Sequence, residues 1–104
     1  MQDPSEMLVP AVCLTEVFRT LAREAGEPAA LVAAGVMRQA RVVALDADLA
    51  IGAARVGQAL GLPLADSIIY ATARRHGAEL WTHDEHFRGL PGVCFVEPRA
   101  SGLR

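Results

Sequence analysis

The chain has 104 residues, the length of one small domain, and 52% of them are hydrophobic. This composition favours a compact domain of helices and strands over a disordered chain. The formal net charge is -2, which excludes a broad basic surface for non-specific nucleic-acid binding. All ten cationic side chains are arginines, so any phosphate contact would use planar guanidinium groups. We expect residues 1–104 to form a single domain.

The cysteines and the apolar segments bear on where the protein works. Cys13 and Cys94 lack metal-ligand spacing and lie in apolar runs, which favours buried free thiols in a reducing cytosol. No signal peptide is recognisable, and uncharged stretches such as residues 28–37 are far too short to cross a bilayer. The sequence therefore predicts a cytoplasmic protein without a membrane segment.

The first half of the chain predicts the order strand, helix, helix, strand, helix. Residues 7–9 form a short apolar strand, and Pro10 then opens a helix over residues 11–25 that ends at Gly26. A second helix is predicted over residues 28–40 and a strand over residues 41–45. The next helix begins after Asp46 or Asp48 as the capping residue and ends at Gly61. Its apolar stripe is Leu49, Ala53, Val56 and Leu60.

The second half predicts a helix, a strand and a last strand. Pro63 suits a helix start, Asp66 lies in the first turn, and His76-Gly77 ends the helix. The apolar or small positions expected to face the interior are Ala65, Ile68, Ile69, Thr72 and Ala73. Residues 80–82 form a strand with Asp84 just beyond it, and residues 93–96 form the last strand. Strands separated by helices predict parallel pairing with right-handed crossovers.

Three acids stand out from this pattern. Asp66 at a helix start and Asp84 at a strand end are expected to converge at one edge of a parallel sheet. Two such carboxylates repel each other and usually require a divalent cation. Structural roles also fit: Glu16 could pair with a neighbour on its helix, Asp66 could stabilise the helix dipole, and Asp84 could cap the turn over residues 85–87. From the residues alone the structural interpretation is favoured, and both stay open.

A different metal site could involve the histidines of the segment His83-Asp84-Glu85-His86. Two histidines three residues apart could bind zinc on a helix, but no third strong nitrogen or sulfur ligand is evident nearby. Loop histidines or an imidazole that contacts RNA are the favoured interpretations. Trp81 and Tyr70 are expected to be packing residues rather than base-stacking platforms.

Two segments carry a family resemblance. Residues 64–73, LADSIIYATA, followed by residues 80–87, LWTHDEHF, resemble the C-terminal half of PIN domains, especially the VapC-like toxins of type II toxin–antitoxin systems. That half has an Asp at a helix start and then a strand ending T-x-D-x-x-F. Residues 9–19, VPAVCLTEVFR, resemble the family's strand-to-helix segment that carries its second acid. The resemblance extends from about residue 8 to residue 98.

The resemblance implies a PIN-like three-layer α/β fold, with a mostly parallel central sheet flanked by helices. It implies a metal-dependent endoribonuclease whose Mg²⁺ or Mn²⁺ is bound, directly or through water, by Glu16, Asp66 and Asp84. Thr82 would orient the site through its hydroxyl. The implied reaction is hydrolysis of RNA by activated water, leaving a 3′-hydroxyl and a 5′-phosphate. The implied protein partners are a cognate antitoxin and a second copy of the chain in a homodimer.

The chain departs from the family at its start. PIN domains begin with a strand that carries the first site Asp, followed by a helix, and nothing before Leu8 resembles that strand. Asp3 lies in a turn-like segment and is not assigned. We expect a gap between the strand at residues 7–9 and the strand at residues 80–82. The true start could lie upstream, the copy could be degenerate, or the sheet could be rearranged.

The alternatives to a nuclease follow from this departure. The main one is a catalytically impaired remnant that still binds an antitoxin or dimerises. A weaker one is a small α/β phosphatase or nuclease with an unrelated acidic site.

Overall fold

Four strands and four helices follow one another along residues 7–97, the part of the chain that this computed structural model describes. The strands are β1 (Leu8–Pro10), β2 (Arg41–Val43), β3 (Leu80–Thr82) and β4 (Val93–Phe95). The helices are α1 (Ala11–Ala25), α2 (Glu27–Met37), α3 (Ala47–Leu60) and α4 (Leu64–Arg75). A 3₁₀ turn, Glu85–Phe87, follows β3. The predicted element order is confirmed, whereas Asp3 and the tail over residues 98–104 lie outside the described residues.

The helix boundaries follow the capping signals of the sequence. α1 has the predicted bounds, and α3 begins after Asp46, whose Oδ1 accepts a hydrogen bond of 2.8 Å from the Leu49 N–H. Gly61 ends α3 with φ of 70°, the left-handed conformation that glycine adopts most easily. α2 ends at Met37, three residues before the predicted end, because residues 38–40 form a turn that leads into β2. None of the helices within residues 7–97 is long and apolar enough to cross a membrane.

The strands form two separate parallel pairs. β1 pairs with β2, placing Leu8 opposite Arg41, and β3 pairs with β4, placing Leu80 opposite Val93. The parallel direction agrees with the prediction, because helices connect the strands within the first pair and carry the chain between the pairs. Within residues 7–97 no strand joins the two pairs into one sheet.

A groove lies between β1 and β3, where the gap was expected. Its volume is about 690 Å³, and residues of α4 form its floor. The wall and floor residues include Met7, Leu8, Ile69, Thr72, Leu80 and Trp81. The Met7 carbonyl accepts a hydrogen bond from the backbone N–H of Arg41, and the Leu80 N–H donates to the Gly92 carbonyl. The backbone N–H and C=O groups of successive residues point to alternate sides of a strand. Those of Leu8 and Trp81 therefore point away from the paired strands, towards the groove.

The core lies between α3 and α4. Leu49, Ala53 and Ala71 are buried together, and Val43, Val56 and Ile68 pack against them. The predicted α3 stripe is therefore right at three of its four positions. Leu60 is 41% exposed, because it lies in the last turn of α3, beyond the part that α4 covers.

A close approach between two helices sets the position of α4. A Cβ atom at Gly57 of α3 would overlap the hydroxyl of Ser67, so the helices meet at a separation that only glycine permits. The Ser67 hydroxyl donates to the Pro63 carbonyl at 2.8 Å and is itself buried. Gly57 therefore allows α4 to cross α3 closely. Gly52, by contrast, faces open space.

The buried face of α4 differs from the predicted one. Ser67, Tyr70, Ala71 and Thr72 are buried, whereas of the five predicted positions only Thr72 is. The reason is that α4 has neighbours on more than one side: the Tyr70 hydroxyl donates to the Pro91 carbonyl at 2.7 Å, before β4. Trp81, predicted to pack in the interior, is 67% exposed beside the groove.

Leu49→Ala is expected to lower the free energy of unfolding by about 2–5 kcal/mol, because it opens a cavity at the centre of the α3–α4 interface. Leu60→Ala, at an exposed position of the same helix, is the matched control and should cost less than about 1 kcal/mol. Urea unfolding of the two variants measures the difference. Equal losses would contradict the location of the core.

If the chain is extended upstream with a strand of apolar residues followed by Asp-x-Ser/Thr, that strand is expected to fill the groove. The extended chain should be monodisperse, whereas the 104-residue chain should self-associate through strand edges that no strand within residues 7–97 pairs. Light scattering compares the two chains, and the fluorescence of Trp81, the one tryptophan of the sequence, should shift to shorter wavelength on extension. An extension with a central proline, which cannot donate to a ladder, is the control. Identical scattering and fluorescence would show that the groove accepts no strand.

Candidate metal centre

Asp66 projects from the first turn of α4, directly after the helix begins. Pro63 is the N-cap, and no side chain caps this helix end. Asp66 is therefore not used as a hydrogen-bonded cap, although a carboxylate in the first turn also interacts favourably with the helix dipole. Its side chain is only 15% exposed. A partly buried carboxylate at a helix N-terminus is a suitable metal ligand.

Asp84 lies two residues after the end of β3 and is held by short local hydrogen bonds. The Asp84 N–H donates to Thr82 Oγ1 at 3.0 Å, and Asp84 Oδ1 accepts from the His86 N–H at 2.9 Å. Asp84 thus caps the 3₁₀ turn, which was one of its two predicted roles. Thr82 positions Asp84 through the backbone, so its hydroxyl acts on the site indirectly.

His86 connects the two acids. Its Nδ1 lies 2.8 Å from Asp66 Oδ2 and 3.1 Å from Asp84 Oδ1. Donor atoms of these three residues all lie within 4.8 Å of one another. Two carboxylates and an imidazole are common ligands of divalent cations in proteins, so the donor set fits the metal that the resemblance implies.

The sequence pattern did not connect His86 with the acids. It paired His86 with His83, and His83 is not part of this group. The informative signal was the spacing from Asp84 to His86, because a capped 3₁₀ turn folds the second residue back over the cap. Recognising that turn requires knowing that Asp84 caps it, and the sequence left that role open.

The pKa of Asp66 is raised above its ordinary value. Burial is the main cause, and the charge of Asp84 adds to it, whereas the hydrogen bond and charge of His86 act in the opposite direction. Ionised Asp66 is therefore less favourable in the folded protein than in water. A bound cation would relieve this cost.

Glu16, the third predicted ligand, is not in the group of three. It lies on an exposed face of α1, and its charge adds to the effect of burial in raising the pKa of the Cys13 thiol one turn earlier. Asp66 and Asp84 are thus brought together as predicted, and the role of Glu16 stays a prediction.

The comparison with protein families identifies the chain. The family model described as "PIN domain" matches residues 1–93, so the chain belongs to the PIN domain family. No match was found among curated proteins.

Two solved structures resemble the fold. A toxin–antitoxin complex from Klebsiella pneumoniae is 26% identical with a TM-score of 0.77, over 93% of this chain and 79% of that one. The DNA-bound VapBC from Salmonella typhimurium is 20% identical with a TM-score of 0.73, over 90% of this chain and 76% of that one. The α/β fold is thus the PIN-like fold expected from the resemblance to VapC-like toxins.

Asp66→Asn is expected to stabilise the protein without metal at neutral pH and to have little effect near pH 4. Because the folded-state pKa of Asp66 is raised, its contribution is most favourable below the unfolded pKa and is lost as the pH rises through the folded pKa. The thermal midpoint of the variant should therefore rise relative to the wild type as pH increases from about 4 to 7.

Asp46→Asn is the control with the opposite sign. Hydrogen bonds, first from the Leu49 backbone and then from Arg75, lower the pKa of Asp46. That contribution is present above the unfolded pKa and is lost as the pH falls through the folded pKa, so this variant should be destabilised at neutral pH. If the thermal midpoints of both variants changed with pH in the same direction relative to the wild type, Asp66 would not be a desolvated carboxylate that Asp84 repels.

Proposed function

We propose that this protein is a metal-dependent endoribonuclease, the toxin component of a toxin–antitoxin module. The observation that carries the proposal is the convergence of Asp66 and Asp84 from separate elements, with donor atoms close enough to share one cation. Membership of the PIN domain family supports nuclease chemistry. The combination of two converging carboxylates and no broad basic surface favours a metal-centred hydrolase over a non-specific nucleic-acid binder.

Each residue has a defined task in this proposal. Asp66 and Asp84 bind Mg²⁺ or Mn²⁺, and Thr82 holds the loop of Asp84 in place through its hydroxyl. Glu16 contributes to the site from α1, directly or through water. When bound, the cation supplies Lewis-acid activation of water and compensates charge at the scissile phosphate. The carboxylates orient the reacting groups.

An antitoxin and a second copy of the chain are the proposed protein partners. The Klebsiella pneumoniae structure is titled a toxin–antitoxin complex, and the Salmonella typhimurium structure a DNA-bound VapBC. Leu31, Val32 and Val36 of α2 are exposed, which supports a surface that a partner covers. We propose that the module acts in the cytoplasm.

The second candidate is a catalytically impaired PIN domain that binds an antitoxin or dimerises. Two observations favour it: Glu16 lies outside the group of three, and β1 and β3 are not joined by a strand within residues 7–97. A domain with an open groove and a reduced ligand set would keep its partner surface while it cleaves RNA poorly.

Replacing either Asp66 or Asp84 with Asn is expected to reduce Mg²⁺-dependent cleavage of a long RNA about a hundredfold or more, because loss of a ligand mispositions the reacting groups. Glu16→Gln should weaken metal binding and leave the thermal midpoint nearly unchanged. Asp48→Asn, an exposed acid of α3, is the control and should keep full activity.

Cleavage is measured together with the thermal midpoint of each variant, so that loss of activity is separated from unfolding. Full activity in either Asn variant would remove that acid from the mechanism. Unfolding of Glu16→Gln would show that Glu16 is a structural anchor. A wild-type chain that binds its antitoxin but cleaves no RNA would favour the impaired-domain alternative.

A further inference from the structure

The imidazole of His86 occupies the space between the two carboxylates of the candidate metal centre. Its Nδ1 is within 3.1 Å of an oxygen of each acid, and the ring is 57% exposed, so solvent ions reach it. Neither the sequence pattern nor the family motif assigned this histidine a role at the metal.

The turn that carries His86 is anchored to the helix that carries Asp66. Phe87, the next residue, is buried, and its ring stacks on Tyr70 of α4 with centroids 6.3 Å apart. The Asp84 carboxylate accepts the His86 N–H at the other end of the turn. His86 is therefore held near both acids by packing and by the backbone, rather than only by its own side-chain contacts.

Two of the donor separations agree with those of an octahedral cation site. Ligand atoms on adjacent corners of such a site, with bonds of about 2.1 Å, lie about 3 Å apart. The distances from His86 Nδ1 to the two carboxylate oxygens, 2.8 Å and 3.1 Å, fall on either side of this value. Within residues 7–97, His86 is the residue that joins Asp66 and Asp84 in a group whose donor atoms lie within 4.8 Å of one another, and its Nδ1 is the atom in contact with both acids.

We infer that His86 Nδ1 is a third protein ligand of the cation, and that this nitrogen makes the site prefer Mn²⁺ to Mg²⁺. Mg²⁺ is a hard ion that takes oxygen ligands and keeps its waters, whereas imidazole suits the first-row transition metals. A set of two carboxylate oxygens and one imidazole nitrogen therefore binds Mn²⁺ more tightly. The inference rests on the proposed function, to which it adds the choice of metal.

The experiment uses the full chain with each metal alone and without RNA. Free Mn²⁺ is followed by electron paramagnetic resonance during titration, and Mg²⁺ affinity is obtained by competition. His86→Ala should lose about tenfold or more in Mn²⁺ affinity and much less in Mg²⁺ affinity. The preference for Mn²⁺ over Mg²⁺ should therefore become smaller. His86→Gln, which offers an amide oxygen, should retain Mg²⁺ binding and lose the Mn²⁺ preference. His83→Ala, an exposed histidine of the same loop, is the matched control and should change neither.

A second measurement needs no variant at the site. Electron spin echo modulation of Mn²⁺ bound to the wild-type protein should contain a coupling to a directly bound ¹⁴N, and ¹⁵N-labelling of histidine should change that coupling. His83→Ala should keep it. This readout reports ligation itself and does not depend on whether His86→Ala folds.

The alternative is that His86 only hydrogen-bonds to the two acids and moves away when a cation binds. In that case the nitrogen coupling would be absent, and His86→Ala would bind Mn²⁺ as tightly as the wild type or more tightly, because a competing group has been removed. Either result overturns the inference and leaves the proposed function intact. A wild-type chain that binds neither ion would overturn the proposed metal chemistry and this inference with it.

Discussion

The close approach of α3 and α4 at Gly57 and Ser67 is the constraint on which the rest of the structure depends. It sets the distance between the helices whose interface holds the core residues Leu49, Ala53 and Ala71. The same helix, α4, then reaches the other parts of the molecule. Its first turn carries Asp66, its middle is tied to the segment before β4 by Tyr70, and its groove-facing side lies under β1 and β3. A shift of α4 would disturb the core, the groove and the metal centre together.

The candidate metal centre brings together charged groups whose interactions are unfavourable for the folded state of a small domain. Asp66 is desolvated and faces another carboxylate, and the imidazole of His86 offsets this only in part. The fold tolerates the arrangement because each group is also positioned by uncharged groups of the scaffold. The Pro63–Ser67 turn positions Asp66, the Thr82 hydroxyl positions Asp84, and the buried ring of Phe87 positions His86. Local unfavourable electrostatics held by a rigid scaffold is a common property of functional sites.

The groove and the metal centre share β3. Trp81 directs its backbone groups towards the groove, while Thr82 accepts a backbone hydrogen bond of 2.8 Å from Val96 and holds Asp84 through its hydroxyl. A strand that paired with Trp81 would therefore stiffen the segment that positions Asp84. β3 is only three residues long. A strand that completed the sheet beside it would therefore also make the position of Asp84 better defined.

Local signals in the sequence determined the element order, most helix boundaries and the identity of the converging acids. Proline at a helix start, a capping aspartate and a left-handed glycine act within one turn, so without knowing the fold Gly61 could be recognised as the end of α3 and its start narrowed to Asp46 or Asp48. The convergence of Asp66 and Asp84 followed from the chain direction of a parallel α/β unit, and the resemblance to PIN domains rested on the same residues. The gap beside β1 was also expected, because the segment that would fill it had no counterpart in the sequence.

Only the tertiary structure decided which surfaces are buried and which groups meet. The periodicity of α4 could not reveal that α3 and the segment before β4 cover different sides of it, so the burial of Ser67 was missed, whereas Tyr70 was expected to be a packing residue and is buried. Trp81 is hydrophobic enough for a core but is exposed because no strand covers that edge within residues 7–97. His86 joins the acids because a 3₁₀ turn and the packing of Phe87 fold it back. These contacts depend on how the elements pack, which the local pattern of a single segment does not specify.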